Sequence, residues 1–176
     1  MAIDDAKLLA PLYGRRSIRA DADTPVEDDT ITALLKAAMA APSAVAKDPW
    51  HFIVVKDRDR RRALTEKLPN GKMLQQAPLG IVVCGDMDRA HTGELSYCLQ
   101  DCSAAIENLL VAAHLLGLGA CWLGVHPREE RVKDLSEKLS LPKHVFPVAV
   151  IAVGYPAETK EPRTRYREEA VHSETW

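Results

Sequence analysis

One stretch limits what this chain can fold into more than any other. Residues 96–116 read as a long helix, and its later part, AAIENLLVAAHLLG, is apolar on nearly every side. A helix without a wet face must be covered all round. The chain has 176 residues, enough for one domain with a sizeable core and too few to need two. One domain over 1–176 is therefore expected, with a second subunit as the cover for the exposed side of that helix. Gly117 and Gly119 read as the C-caps that stop it.

Around this helix the pattern alternates. Thr24, Pro25 and Glu27 form a helix-start signature, with Thr24 as N-cap. Ile31, Leu34, Leu35, Ala38 and Met39 then form one helical stripe that Pro42 ends. Residues 51–56 read as a buried strand, 57–67 as a charged surface helix, and Leu68-Pro69-Asn70-Gly71 as a turn. Further strands are expected at 81–85, 120–125 and 148–154. A surface helix at 127–139 should turn Val132, Leu135 and Leu139 inward. The polar tail beyond carries Arg163, Arg165 and Arg167. Helices interleaved with strands imply a three-layer α+β or α/β fold.

Several function classes fall away. A net charge of −2 lacks the basic surplus that phosphate-backbone recognition demands, so no nucleic-acid partner is expected. No apolar run approaches the roughly 20 residues of a membrane span. Residues 1–17 lack the basic-then-apolar layout of a signal peptide, which favours a cytoplasmic location. The Gly117-Leu118-Gly119 run follows a helix and precedes a strand, the reverse of a dinucleotide-binding turn. Cys84, Cys98, Cys102 and Cys121 have no zinc-site spacing and read as small buried residues, so no metal is expected.

The strongest local signal is Arg15-Arg16-Ser17-Ile18-Arg19. Three guanidinium groups and a hydroxyl within five residues suit a phosphate monoester, because Arg offers planar bidentate donors to phosphate oxygens. Taken alone, such a cluster is more often a solvated surface patch. RRSIR, APSAVAKDPWHFIVV, KMLQQAP before IVVCG, GLGACWLG, and VGYPAE with arginines beyond it occur together in this order. In that ordered set the chain resembles nitroreductase-family flavoproteins over nearly its whole length.

The resemblance implies an α+β three-layer sandwich with a mixed central sheet flanked by helices. It implies an interlocked homodimer with FMN bound non-covalently in the interface, and NAD(P)H as electron donor. The reaction implied is reduction of small electron-poor acceptors (nitro compounds, quinones or flavins) by a two-step exchange in which the flavin does the chemistry and no side chain is catalytic. Arg15, Ser17 and Arg19, with Arg16 between them, match positions that hold FMN phosphate and ribityl oxygens. Arg163 and Arg165 match the basic pair that completes the phosphate site. Lys72 matches a lysine at the pyrimidine edge of the flavin, with Asn70 nearby. Leu123 and Gly124 match backbone that approaches the ring face. Pro42, Ser43 and Ala44 match a loop reaching FMN from the other subunit, and Asp48 lies at its end.

Two departures stand out. Many relatives place Asn at the position of Ala46 and Gln at that of Asp48; Ala46 cannot donate a hydrogen bond, and Asp48 can only when protonated. These changes leave open a non-enzymatic flavin carrier or redox sensor on the same fold. In addition, only residues 86–95 occupy the stretch where larger relatives carry a helical excursion, so a more open pocket is expected.

Overall fold

The structure is a computed structural model that describes residues 5–176. Its frame is one sheet of four strands: β1 (Trp50–Val55), β2 (Leu79–Asp86), β3 (Gly119–Gly124) and β4 (Val145–Gly154), in the order β1-β2-β4-β3. Every named pair is antiparallel. The parallel component expected of a mixed sheet is confined, among the described residues, to an isolated bridge between Ser17 and Ala120 beside β3.

Helices α1 (Asp5–Gly14), α2 (Asp28–Met39), α3 (Arg58–Leu64), α4 (Lys72–Gln76), α5 (Leu95–Leu115) and α6 (Glu129–Lys138) accompany the sheet. Side chains alternate across a strand, and β2 and β4 use both faces. Ile81, Val83, Ile151 and Val153 pack with Leu34 of α2 and Ile106 and Leu109 of α5. Val82, Cys84, Val150 and Ala152 pack on the other side with Leu64, Leu74 and Leu135. Two cores on one sheet make three layers. Being covered on both faces, the central strands read as unbroken apolar runs.

The outer strands behave differently. β1 is an edge strand and leaves His51 and Val54 exposed, so the buried strand expected there is buried only in part. Pro147, which has no N–H for the ladder, sits where the β2–β4 register shifts, the position an interior strand reserves for proline.

Helix α5 finds most of its cover within the chain. Cys98, Cys102, Ala105, Ile106, Leu109 and Ala113 are buried, and Asn108 donates to the Ala37 carbonyl of α2 at 3.1 Å. Leu115 and Leu116 stay exposed, as do Leu8, Leu9 and Leu12 of α1. Gly117, at φ +75°, caps the helix as expected, with Leu118 N bonded to Ala113 O at 2.8 Å. Gly119 does not act as a cap; it is the first residue of β3.

The start of α2 also differs. Its N-cap is Glu27 in extended conformation, because Val26 is buried in the core and the chain stays extended to deliver it there. Met39, expected on the inner stripe, is exposed at the last turn.

Candidate functional site

Glycine at position 119 allows the N-terminal basic segment to dock. A Cβ there would lie 2.7 Å from the Ile18 Cβ, so only a bare backbone lets Ile18 pack over β3. Ile18 N then donates to Ala120 O at 3.1 Å, and residues 15–19 run alongside the strand.

The tail closes on the same segment in the opposite direction. Ala22 N donates to Tyr155 O and Ala157 N to Ala20 O, both at 2.8 Å. Arg19 N donates to Glu158 Oε1 at 2.6 Å. Lys160 Nζ donates to Ser17 O at 2.7 Å and to Glu158 Oε1 at 2.9 Å. Arg16 donates to the Glu161 carbonyl, and Arg163 N to Tyr13 O at 3.1 Å. This run of bonds brings two basic clusters, some 145 positions apart in the chain, to one place.

Arg15, Arg16, Ser17, Arg163 and Arg165, with Leu12, line a cavity of about 250 Å³. Arg15 is partly balanced by Glu107 at 3.1 Å. Arg163 has no acidic partner among the described residues, and Arg16 and Arg165 beside it hold its guanidinium below the usual arginine range. Like charges crowded without a counter-charge form a place for an anion.

A second cavity, about 200 Å³, lies along β3 and is lined by Arg19, Asn70, Gly71, Cys121, Leu123 and Gly124, among others. A Cβ at Gly124 would meet nothing within 4 Å, so the backbone there is open to a flat neighbour. Arg131 of α6 fixes that point by donating to Gly124 O at 2.9 Å. The segment 15–19 thus borders both cavities, Arg15 to Ser17 at one and Arg19 at the other. Burial, and secondarily Glu158, pushes the Asp21 carboxyl up to about 6.

Other expected residues lie elsewhere. Lys72 faces the adjoining hollow with Arg62, Glu66 and Gln75, beyond the shared wall of Leu68 and Pro69. Pro42, Ser43, Ala44 and Asp48 precede β1, at the far edge of the sheet from β3. Three inter-strand steps separate those edges by about 14 Å, so this loop and the β3 cavity are not joined within one chain. Among the described residues the four cysteines are free and buried.

Glu158, Lys160 and Arg131 were not singled out from the sequence. They sit in polar stretches with no pattern, and only their bonds to Arg19, Ser17 and Gly124 mark them. The region of the missing excursion holds one short turn of helix, His91–Gly93, before α5. Among the described residues, no helix is long and apolar enough to cross a membrane.

Comparison with known proteins bears on this arrangement. The model of the nitroreductase family matches residues 12–68 and 62–155. An Archaeoglobus fulgidus protein, provisionally named an NADH dehydrogenase/NAD(P)H nitroreductase, is 44% identical over 171 residues, covering 96% of this chain and 98% of its own. A crystal structure from Parabacteroides distasonis with the same provisional name superposes with a TM-score of 0.91 at 39% identity, over 97% and 99% of the two chains. An FMN-dependent nitroreductase of Clostridium difficile superposes at 0.87 with 31% identity, over 96% and 99%.

Proposed function

This chain belongs to the nitroreductase family, and from that premise we propose that it is an FMN-dependent NAD(P)H oxidoreductase acting on small electron-poor acceptors. The observation that carries the proposal is the arginine cavity, only partly compensated by Glu107, beside a bare β3 backbone. FMN has a phosphate at one end and a flat ring at the other, and the two cavities suit those ends in chemistry.

In this reading Arg15, Arg16, Ser17, Arg163 and Arg165 hold the phosphate. A phosphate monoester carries close to two negative charges and offers acceptors for bidentate guanidinium donors. Leu123 and Gly124 lie against the ring, with Arg19 and Asn70 at its polar edge. Bound FMN supplies the hydride chemistry that no side chain here can provide. The protein's part is to neutralise, orient and limit access. Lys72 lies beyond the wall of Leu68 and Pro69, and its charge at the pyrimidine edge would favour the reduced form.

The working unit proposed is a homodimer. Pro42, Ser43, Ala44 and Asp48 stand at the far edge of the sheet, and only a second copy brings them to the β3 cavity. The exposed leucines of α1 and the end of α5 offer apolar surface for that contact. Nicotinamide and acceptor take turns over one ring face, with nitro compounds, quinones or flavins as the acceptor class.

The test is direct. Purified protein should retain or take up FMN, scatter light as a dimer, and show rapid bleaching of bound flavin on mixing with NADH or NADPH. Initial-rate plots against both substrates should be parallel, the pattern of a two-step exchange. Protein that takes up no FMN refutes the proposal. Flavin that binds yet is not reduced by either nucleotide favours a carrier or sensor instead.

A further inference from the structure

Asp101, with Arg61 and Asp86, is among the buried charged groups that the site as described does not use. It lies on α5, only 5% exposed. Its Oδ1 accepts a hydrogen bond from Ala44 N at 2.9 Å, while its Oδ2 is buried with no partner. Burying a carboxylate is costly, more so with one oxygen unused. Packing alone would favour an apolar residue on this helix face. What the carboxylate does instead is hold one backbone N–H of a loop 57 positions away.

That loop needs holding. Val45, Ala46 and Asp48 have φ of 52°, 52° and 50°, a left-handed backbone that is unfavourable for residues with a Cβ and most of all for a β-branched one. The remaining pins come from outside α5; one is Arg89, whose Nη2 donates to Lys47 O at 3.3 Å. Ser43 Oγ donates to Asp48 Oδ1 at 2.6 Å and accepts from Asp48 N at 3.0 Å, and Asp86 N donates to Pro49 O at 2.7 Å. Val45 stands 71% exposed at the tip. Asp101 is the side chain that ties the strained turn to the central helix.

We propose that Asp101 is a positioning residue for the flavin site: it fixes the 43–48 turn in the shape that meets the cofactor held by the partner subunit. The inference rests on the FMN reading above. Asp101 touches neither cofactor nor substrate and acts through Ala44 N–H.

The experiment titrates oxidised FMN into apo-protein variants and records apo thermal stability alongside. Asp101→Ala should weaken FMN binding by roughly tenfold or more, the size of a lost hydrogen bond to a charged group. Asp101→Asn keeps an acceptor for Ala44 N–H and should stay within about threefold. Val45→Gly removes the left-handed penalty and should restore most of the affinity lost in Asp101→Ala.

A merely structural Asp101 would lower stability, leave FMN affinity unchanged and show no rescue by Val45→Gly; that result overturns the inference. If Asp101→Ala does not fold, Asp101→Leu, which fills the space without an acceptor, decides, alone and combined with Val45→Gly. A loss of about tenfold or more, partly recovered by the glycine, supports the proposal, and affinity within about threefold of wild type overturns it. Arg165→Ala separates the two levels. Loss of affinity there but not at Asp101 refutes this inference alone, whereas no loss at either refutes the flavin reading.

Discussion

Replacing Asp21 by Asn should stabilise the protein at neutral and alkaline pH and do nothing in acid. Asp21 sits where the N-terminal segment meets the tail, bridged to Pro156, with Oδ1 buried and unpartnered. Burial, and then Glu158, raises its carboxyl to about 6. The unfolded chain releases this proton near 3.9. Between those values the folded state holds a proton that the unfolded state has lost, so stability falls as pH rises through the window. Above about pH 6 the penalty is complete. A gap of about two units is worth about 3 kcal/mol, and partial solvent access reduces it to about 1–3 kcal/mol.

Asn keeps the shape, removes the charge and can donate toward Glu158. For a chain of this size each kcal/mol moves Tm by about 2–4 °C. Asp21→Asn should therefore melt about 2–12 °C above wild type at pH 8 and level with it at or below about pH 4. Thermal melts of both proteins across that range, in the same state of flavin loading, measure this. An equal difference at both pH values would mean that the gain is packing and not ionisation. No gain at pH 8 would refute the assignment of a buried, charge-repelled carboxylate.

Gly119→Ala should cost about 1–3 kcal/mol in denaturant unfolding, as overpacking does, and should weaken FMN binding because Ile18 and its neighbouring arginines are pushed off β3. Arg163→Ala or Arg165→Ala should lower FMN affinity by roughly 10- to 100-fold, the size of a lost charge-assisted bond. Riboflavin, which has no phosphate, should bind these two variants as it binds wild type. Lys72→Met should lower the flavin midpoint potential by roughly 20–60 mV, from about 1–3 kcal/mol of lost attraction. An unchanged potential would leave Lys72 in the hollow where its side chain rests.

What the sequence settled by itself is what depends on near neighbours. The unbroken apolar runs of β2 and β4 announce strands buried on both faces. The stripe Ile31, Leu34 and Ala38 announces the inner face of α2, and Gly117 announces the left-handed cap of α5. Each of these follows from a few consecutive residues, since periodicity and backbone preference are local. The family, too, was legible, because short motifs in a set order survive in the string itself.

Tertiary structure decided what depends on distant partners. Nothing in residues 24–27 shows that burial of Val26 outweighs a Thr24 cap. Nor does the apolar circumference of α5 say whether the sheet and α2 or a second subunit covers it; here the sheet, α2 and α1 cover most of it. Arg15 and Arg163 share a cavity only because Gly119 admits Ile18 and the tail runs back along residues 13–22. Asp101 reads from sequence as an ordinary polar residue on a helix, and its bond to Ala44 N exists only once α5 lies beside the turn. Hydrogen bonds and charge repulsion act through space over a few ångströms, and sequence separation carries no record of that distance until the chain has folded.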